Sequence, residues 1–141
     1  MLLMSVLVVK NATAQVRFNL NVNIGSQPAW GPVGYDHVEY YYLPDVEAYY
    51  YVPRQQFVYM QGGRWVFSSS LPRRYRNYDL NSGYKVVVNE PNAYRHFDRD
   101  RAKYSSYRDR HDQPIIRNSN DPRYYVVKGH PKYRRDNGRH H

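Results

Sequence analysis

Residues 38–69 alternate short runs of aromatic and β-branched residues with turn signals, and this pattern predicts four antiparallel β-strands. The strands are expected at residues 38–43, 46–52, 56–61 and 64–69. Pro44-Asp45 and Pro53 separate the first three, because proline presets φ and aspartate hydrogen-bonds its own backbone. Gly62-Gly63 predicts a two-residue hairpin turn, since both central positions of a type I′ turn need a positive φ. A β-meander is therefore expected at the centre of the fold.

The hairpin turn also fixes a register, in which Met60 opposes Trp65 and Val58 opposes Phe67. These four apolar side chains share one face, which we expect to be the core face, while the opposite face is mixed. The chain has 17 Tyr against 4 Phe, and a tyrosine buries area but needs a partner for its hydroxyl. We therefore expect one wet aromatic face on the sheet. The tyrosines expected to bind a ligand there are Tyr41, Tyr49, Tyr51 and Tyr59.

Two further strands and a loop are predicted around the meander. Residues 16–24 alternate apolar residues with Arg and Asn, which predicts a half-buried edge strand whose Asn row faces solvent or, alternatively, a sugar. Residues 84–89 predict a strand with Val86 and Val88 on one face. Residues 25–37 predict a loop rich in Gly and Pro. We expect Trp30 in this loop to pack on the sheet, with ligand stacking as the alternative.

The N-terminal residues 1–14 resemble a secretory leader. An apolar run at residues 2–9 precedes Ala12-Thr13-Ala14, a small-x-small triplet of the kind that signal peptidase accepts. The run is short and no basic residue precedes it, so a buried first strand is the alternative. We expect an exported protein, periplasmic or secreted, with a mature chain from near Gln15. The β domain is then expected at residues 15–90.

A helix is predicted at residues 91–108, where Tyr94, Phe97, Tyr104 and Tyr107 recur at helical spacing. We expect this stripe to pack on the sheet, with a partner surface as the alternative. A short helical turn is also expected at residues 72–78, with proline at its start. Asp98-x-Asp100 is expected to lie on a solvated helix face. The fold class is thus mainly β with one helix (α+β), with a small antiparallel sheet of about five to six strands.

The positive charge is concentrated at the C-terminus. Of the net +9, residues 99–141 carry twelve Lys and Arg against five Asp and Glu. Residues 109–141 have no periodicity, and their composition predicts a basic, largely disordered tail. Residues 124–127 could instead add a strand to the sheet. An anionic partner is expected for the basic residues, with Arg64, Arg134 and Arg135 as candidate contacts; a merely solvated tail is the alternative.

Catalytic and metal-binding motifs are not found in the sequence. Cysteine is absent, which excludes disulfides, thiolate metal sites and a cysteine nucleophile. No phosphate loop, dinucleotide fingerprint, serine elbow or zinc helix occurs. Apart from the terminal His140 and His141, no two histidines have the spacing of metal ligands. We therefore expect no cofactor, no metal and no enzymatic activity.

Several motifs together resemble those of a group of small exported proteins of Gram-negative bacteria. They are Tyr40-Tyr-Tyr-Leu-Pro-Asp-Val46, Gly63-Arg-Trp-Val66, Ser70-Leu-Pro72 and Lys85-Val-Val-Val88, within about residues 35–90. The resemblance implies a Tyr-rich β-meander and export. It implies no catalytic or binding residues.

Three functions follow as expectations. The first is a non-enzymatic envelope protein that binds an anionic polymer, a glycan or another envelope protein. The second is a nucleic-acid binder that combines basic residues with Tyr stacking, which export would argue against. The third is a structural role through edge-strand pairing.

Overall fold

The computed structural model describes residues 22–134 and contains one five-stranded antiparallel sheet. Its strands are β1 Tyr40–Leu43, β2 Ala48–Tyr51, β3 Gln56–Gln61, β4 Arg64–Ser68 and β5 Val86–Val88. Their spatial order is β4-β3-β2-β1-β5, so the meander is extended by β5 beside β1. The mainly-β α+β fold is therefore confirmed. The predicted leader and residues 16–21 of the predicted edge strand lie outside the described residues, and the 3-10 helix Ile24–Ser26 occupies the end of that segment.

The predicted hairpin register is confirmed. Gly62 and Gly63 have φ values of 58° and 75°, as a type I′ turn requires. Met60 opposes Trp65, and Val58 opposes Phe67. β1 and β2 pair antiparallel, with Tyr42 opposite Tyr49.

Both faces of the sheet are covered, which corrects the expectation of one wet face. On the helix face, Tyr42, Tyr49 and Val58 pack against the segment that includes Phe97 and Tyr104. On the loop face, Tyr41, Tyr50, Phe57 and Tyr59 pack against Trp30 and against a segment formed by residues 71–80. The predicted core face does carry Val58 and Trp65, but Met60 and Phe67 near the hairpin end are each 41% exposed.

The predicted helix is shorter than expected. The α-helix α1 spans Phe97–Lys103, with the 3-10 helices Ala93–His96 before it and Ser105–Tyr107 after it. Its aromatic stripe packs on the helix face as predicted, through Tyr94, Phe97 and Tyr104. Tyr107 instead stacks on Tyr84, with the ring centroids 4.6 Å apart.

The C-terminal residues that the structure describes are packed, contrary to the prediction of a largely disordered tail. Ile116, Tyr124 and Val127 are buried against Ile24, Ala29 and Val33. The Ile116 N–H donates to the Gly31 carbonyl at 2.9 Å, and the Gly34 N–H donates to the Tyr124 hydroxyl at 2.8 Å. The 3-10 helix Pro122–Val126 replaces the strand considered at residues 124–127. Residues 109–134 thus belong to the folded unit, and residues 135–141 lie outside the described part.

Candidate functional site

The four tyrosines expected to form a binding surface are divided between the two faces of the sheet. Tyr41 and Tyr59 lie on the loop face, and Tyr49 and Tyr51 lie on the helix face. Tyr41 and Tyr49 are fully buried, Tyr59 is 9% exposed and Tyr51 is half-buried. These side chains are structural elements of two aromatic layers, and no common surface presents them to a ligand.

The buried hydroxyls of Tyr49 and Tyr41 differ in their hydrogen bonding. Tyr49 donates to Asp100 Oδ2 at 2.6 Å, which ties β2 to α1. Burial, and then the hydrogen bond to Asp100, raise the pKa of Tyr49 far above its ordinary value. The Tyr41 hydroxyl has no hydrogen-bond partner among the described residues, and its ring packs against Trp30 at a centroid distance of 5.5 Å. Trp30 therefore packs on the sheet, as predicted.

Arg64 and Arg134, two of the basic residues expected to bind an anion, lie in different parts of the described structure. Arg64 is exposed beside the β3–β4 turn, and its Cα partner is Gln61. Arg134 is exposed at the end of the described chain, where its N–H donates to the Tyr125 carbonyl at 2.8 Å. Arg135 lies outside the described residues.

A different site emerges on the loop face, where residues 69–80 cross the sheet next to β3. This cleft has a volume of about 380 Å³. We call it the arginine cleft; it is lined by Phe57, Ser69, Ser70, Leu71, Arg73, Tyr75, Arg76, Tyr78 and Leu80. Its apolar side chains belong to the loop-face core, so the cleft opens directly onto packed hydrophobic residues.

Positive charge lines the opening of the arginine cleft. Pro72 precedes the 3-10 helix Arg73–Tyr75, a tight turn that leaves Arg73, Arg74 and Arg76 exposed while Tyr75 packs on the core. Within residues 22–134, none of the three arginines lies within ion-pair distance of a carboxylate. Arg74 lies over the Tyr75 ring, with its Cζ 4.9 Å from the centroid. Two guanidinium groups, of Arg73 and Arg76, therefore remain for an anion.

Hydrogen bonds of Tyr78, Asp45 and Lys85 hold the wall of the cleft. Tyr78 donates to Asp45 Oδ2 at 2.8 Å, and Asp45 Oδ1 accepts from the Asp109 N–H at 2.7 Å. Lys85, 1% exposed, donates from Nζ to the Leu80 carbonyl at 2.7 Å. Burial lowers the pKa of Lys85 to about 8, against the opposing effect of nearby carboxylates. These bonds fix residues 78–80, which carry two of the lining side chains.

A second cleft, of about 560 Å³, lies beside His37, Glu39, Asn89, Glu90 and Pro91. It is larger than the arginine cleft, but both of its carboxylates, of Glu39 and Glu90, already have neighbouring side-chain partners. Glu90 accepts two hydrogen bonds from Arg99, at 2.9 and 3.0 Å, and Glu39 lies 3.3 Å from His37 Nε2. Across the described part of the chain, no three His, Asp or Glu side chains are grouped so that they could hold a metal ion.

The chain matches no protein-family model, no curated protein and no solved structure. None of the helices within residues 22–134 is long and apolar enough to cross a membrane. The molecule is thus a small α+β protein with an arginine-lined cleft, and its function must be argued from that geometry.

The sequence did not predict the arginine cleft, because the candidate binding surface was placed on the tyrosines of the sheet. The available signal was local: Leu71, Tyr75, Tyr78 and Leu80 recur at intervals of two to four residues, with three arginines between them. In such a segment the apolar side chains pack on the core, whereas the charged ends of the arginines stay in solvent.

Proposed function

We propose that the protein is a non-enzymatic, exported module of the cell envelope that binds an anionic polymer through the arginine cleft. The leader-like residues 1–14 support export. A single observation supports the binding site: two exposed arginines, which have no carboxylate partner among residues 22–134, flank an apolar cleft. An arginine forms paired, charge-assisted hydrogen bonds to a phosphate or carboxylate, and these bonds are stronger than neutral ones.

The arrangement suits one ligand chemistry. Arg73 and Arg76 would contact phosphate or carboxylate groups of the polymer, while Leu71, Tyr75 and Leu80 would accept a neighbouring ring or apolar group. The alternative of nucleic-acid binding combined basic residues with Tyr stacking. Three of the four tyrosines expected on a binding surface, Tyr41, Tyr49 and Tyr59, are buried in the sheet layers, so they offer no stacking surface to bases.

The test is a titration of the full chain with inorganic polyphosphate, polygalacturonate or duplex DNA, repeated at several salt concentrations. We expect polyphosphate or polygalacturonate to bind with an affinity that falls as salt rises. Arg73→Gln/Arg76→Gln should weaken binding at least about tenfold, since each charged hydrogen bond contributes roughly 1.5–3 kcal/mol.

The matched control is Arg95→Gln/Arg117→Gln. These two arginines are also exposed, and neither forms an ion pair within the described residues. The control removes the same charge from elsewhere on the surface. Equal weakening by both double variants would show that only net charge matters and would refute the cleft. Tightest binding to duplex DNA would favour the nucleic-acid alternative.

A further inference from the structure

The two edges of the sheet differ in how they are protected. At the β5 edge, the Gln113 side chain hydrogen-bonds to the backbone of Lys85, the residue before β5. Its Oε1 accepts from the Lys85 N–H and its Nε2 donates to the Lys85 carbonyl, both at 2.9 Å. β5 is also only three residues long. Short edge strands and covering groups are the usual means of preventing sheet edges from pairing.

The β4 edge has neither protection. The two-residue turn makes Gln61 and Arg64 the closing hydrogen-bonded pair, and hydrogen-bonded and non-hydrogen-bonded pairs then alternate along the hairpin. Arg64, Val66 and Ser68 thus direct their backbone groups toward β3. Trp65 and Phe67 direct theirs outward, and no hydrogen bond from residues 22–134 outside the hairpin reaches them.

Exposed apolar side chains accompany this open edge. Phe67 on β4 and Met60 on β3 are each 41% exposed and lie on the helix face. Phe67 contacts Tyr94 edge-on, with the ring centroids 5.4 Å apart. A five-residue edge with free backbone groups and exposed apolar side chains is suited to pairing with another strand.

We propose that the occupant of this edge is β4 of a second copy of the chain, paired antiparallel about Val66. In this register the outward-facing Trp65 and Phe67 of each copy form hydrogen-bonded pairs with Phe67 and Trp65 of the other, which gives four backbone hydrogen bonds. Val66 opposes Val66, and Arg64 opposes Ser68, so no like charges meet. The segment Arg64–Ser68 is therefore complementary to itself.

The pairing has a consequence for binding, although it does not depend on the proposed function. Directly opposed residues of an antiparallel pair lie on the same face, so the loop faces of both copies lie on one side of a ten-stranded sheet. Two arginine clefts would then face the same side. A polymer long enough to reach both would bind with avidity that one copy lacks.

The test uses the absence of cysteine from the sequence. Val66→Cys places one thiol at the two-fold axis, where the Cα atoms of a non-hydrogen-bonded pair lie about 4.5 Å apart, within disulfide range. Phe67→Cys is the control, because residue 67 opposes residue 65 of the other copy. Under mild oxidation we expect a covalent dimer with Val66→Cys and much less with Phe67→Cys.

Charge variants test the register without cysteine. Ser68→Lys creates two like-charge pairs with Arg64 of the other copy, and Ser68→Glu creates two opposite-charge pairs. Sedimentation without any ligand should show a dissociation constant raised roughly two- to thirtyfold by Ser68→Lys and lowered by a similar factor by Ser68→Glu. Both variants lose the same hydrogen bond from the Ser70 N–H, so this loss cannot explain opposite effects.

Three results would overturn the proposal. They are a wild-type monomer at every concentration, equal cross-linking of the two cysteine variants, and equal effects of the two charge variants. Dimerisation with no polymer binding would refute the proposed function alone, whereas polymer binding by a monomer would refute this inference alone.

Discussion

The hydrogen bond between Tyr49 and Asp100 gives the sharpest test of how the helix is attached to the sheet. Tyr49 is fully buried on β2 and Asp100 is 1% exposed on α1. Their Oη and Oδ2 atoms are 2.6 Å apart. The change Tyr49→Phe removes the donor and preserves the ring, which packs against Tyr42 and Phe97.

The expected cost follows from what Asp100 retains. Arg99 Nε and Nη2 both donate to Asp100 Oδ1 at 3.2 Å, so Oδ1 keeps its partners, whereas Oδ2 loses its only partner among residues 22–134. A hydrogen bond to a charged group contributes roughly 1.5–3 kcal/mol, and a buried acceptor left unpaired adds to the loss. We therefore expect Tyr49→Phe to lower the free energy of unfolding by about 3 kcal/mol.

Tyr51→Phe is the matched control. Tyr51 lies on the same strand and face but is half-buried, and its hydroxyl has no partner in residues 22–134. We expect this change to alter stability by less than about 0.5 kcal/mol, as surface substitutions do.

The assay is urea denaturation of a double-mutant cycle with Asp100→Ala. In the Asp100→Ala background, Tyr49→Phe should cost little, because its acceptor is already gone. The coupling energy between the two changes should therefore be close to the full cost of Tyr49→Phe, about 3 kcal/mol. Additive effects, or a Tyr49→Phe variant as stable as Tyr51→Phe, would refute the reasoning.

Two further predictions concern the wall of the arginine cleft. Because the Lys85 pKa is lowered from 10.5 to about 8, the unfolded chain binds more protons between these values. Stability should therefore rise with pH across this window by up to about 3 kcal/mol, relative to Lys85→Met, as measured by denaturation at each pH. A Cβ on Gly83 would overlap the Tyr78 hydroxyl, so Gly83→Ala should cost roughly 1–3 kcal/mol and weaken polymer binding in the same titration. Unchanged binding would show that Tyr78 does not shape the cleft.

The sheet could be predicted from the sequence because its determinants are local. The Gly62-Gly63 turn sets the β3–β4 register, and Pro44-Asp45 marks the end of β1. The burial of both faces of the sheet was harder to predict, although the sequence contains a signal for it. Three successive tyrosines in β1, at residues 40–42, are typical of a strand buried on both sides rather than of one with alternating exposure.

The C-terminal packing could not be predicted, because its partners are distant in sequence. Ile116, Tyr124 and Val127 belong to two short apolar runs in a basic background, too few residues to predict a core alone. Their partners Ala29 and Val33 lie in a loop about ninety residues earlier, which itself shows no regular pattern. The two segments stabilise each other through contacts that are distant in sequence, so the local composition of each did not predict its packing.

The high tyrosine content has a structural explanation, which shifts the argument for function to the arginines. In a thin domain, a buried tyrosine supplies apolar area and still reaches a polar partner at the edge of its layer. Tyr49 reaches Asp100 on α1, and Tyr78 reaches Asp45 beside β1, so each ties a covering segment to the sheet. Tyr49 and Tyr78 thus help to hold the covering segments on the sheet. Arg73 and Arg76 have no such role among the described contacts, and a structure that leaves them exposed over an apolar cleft favours binding there.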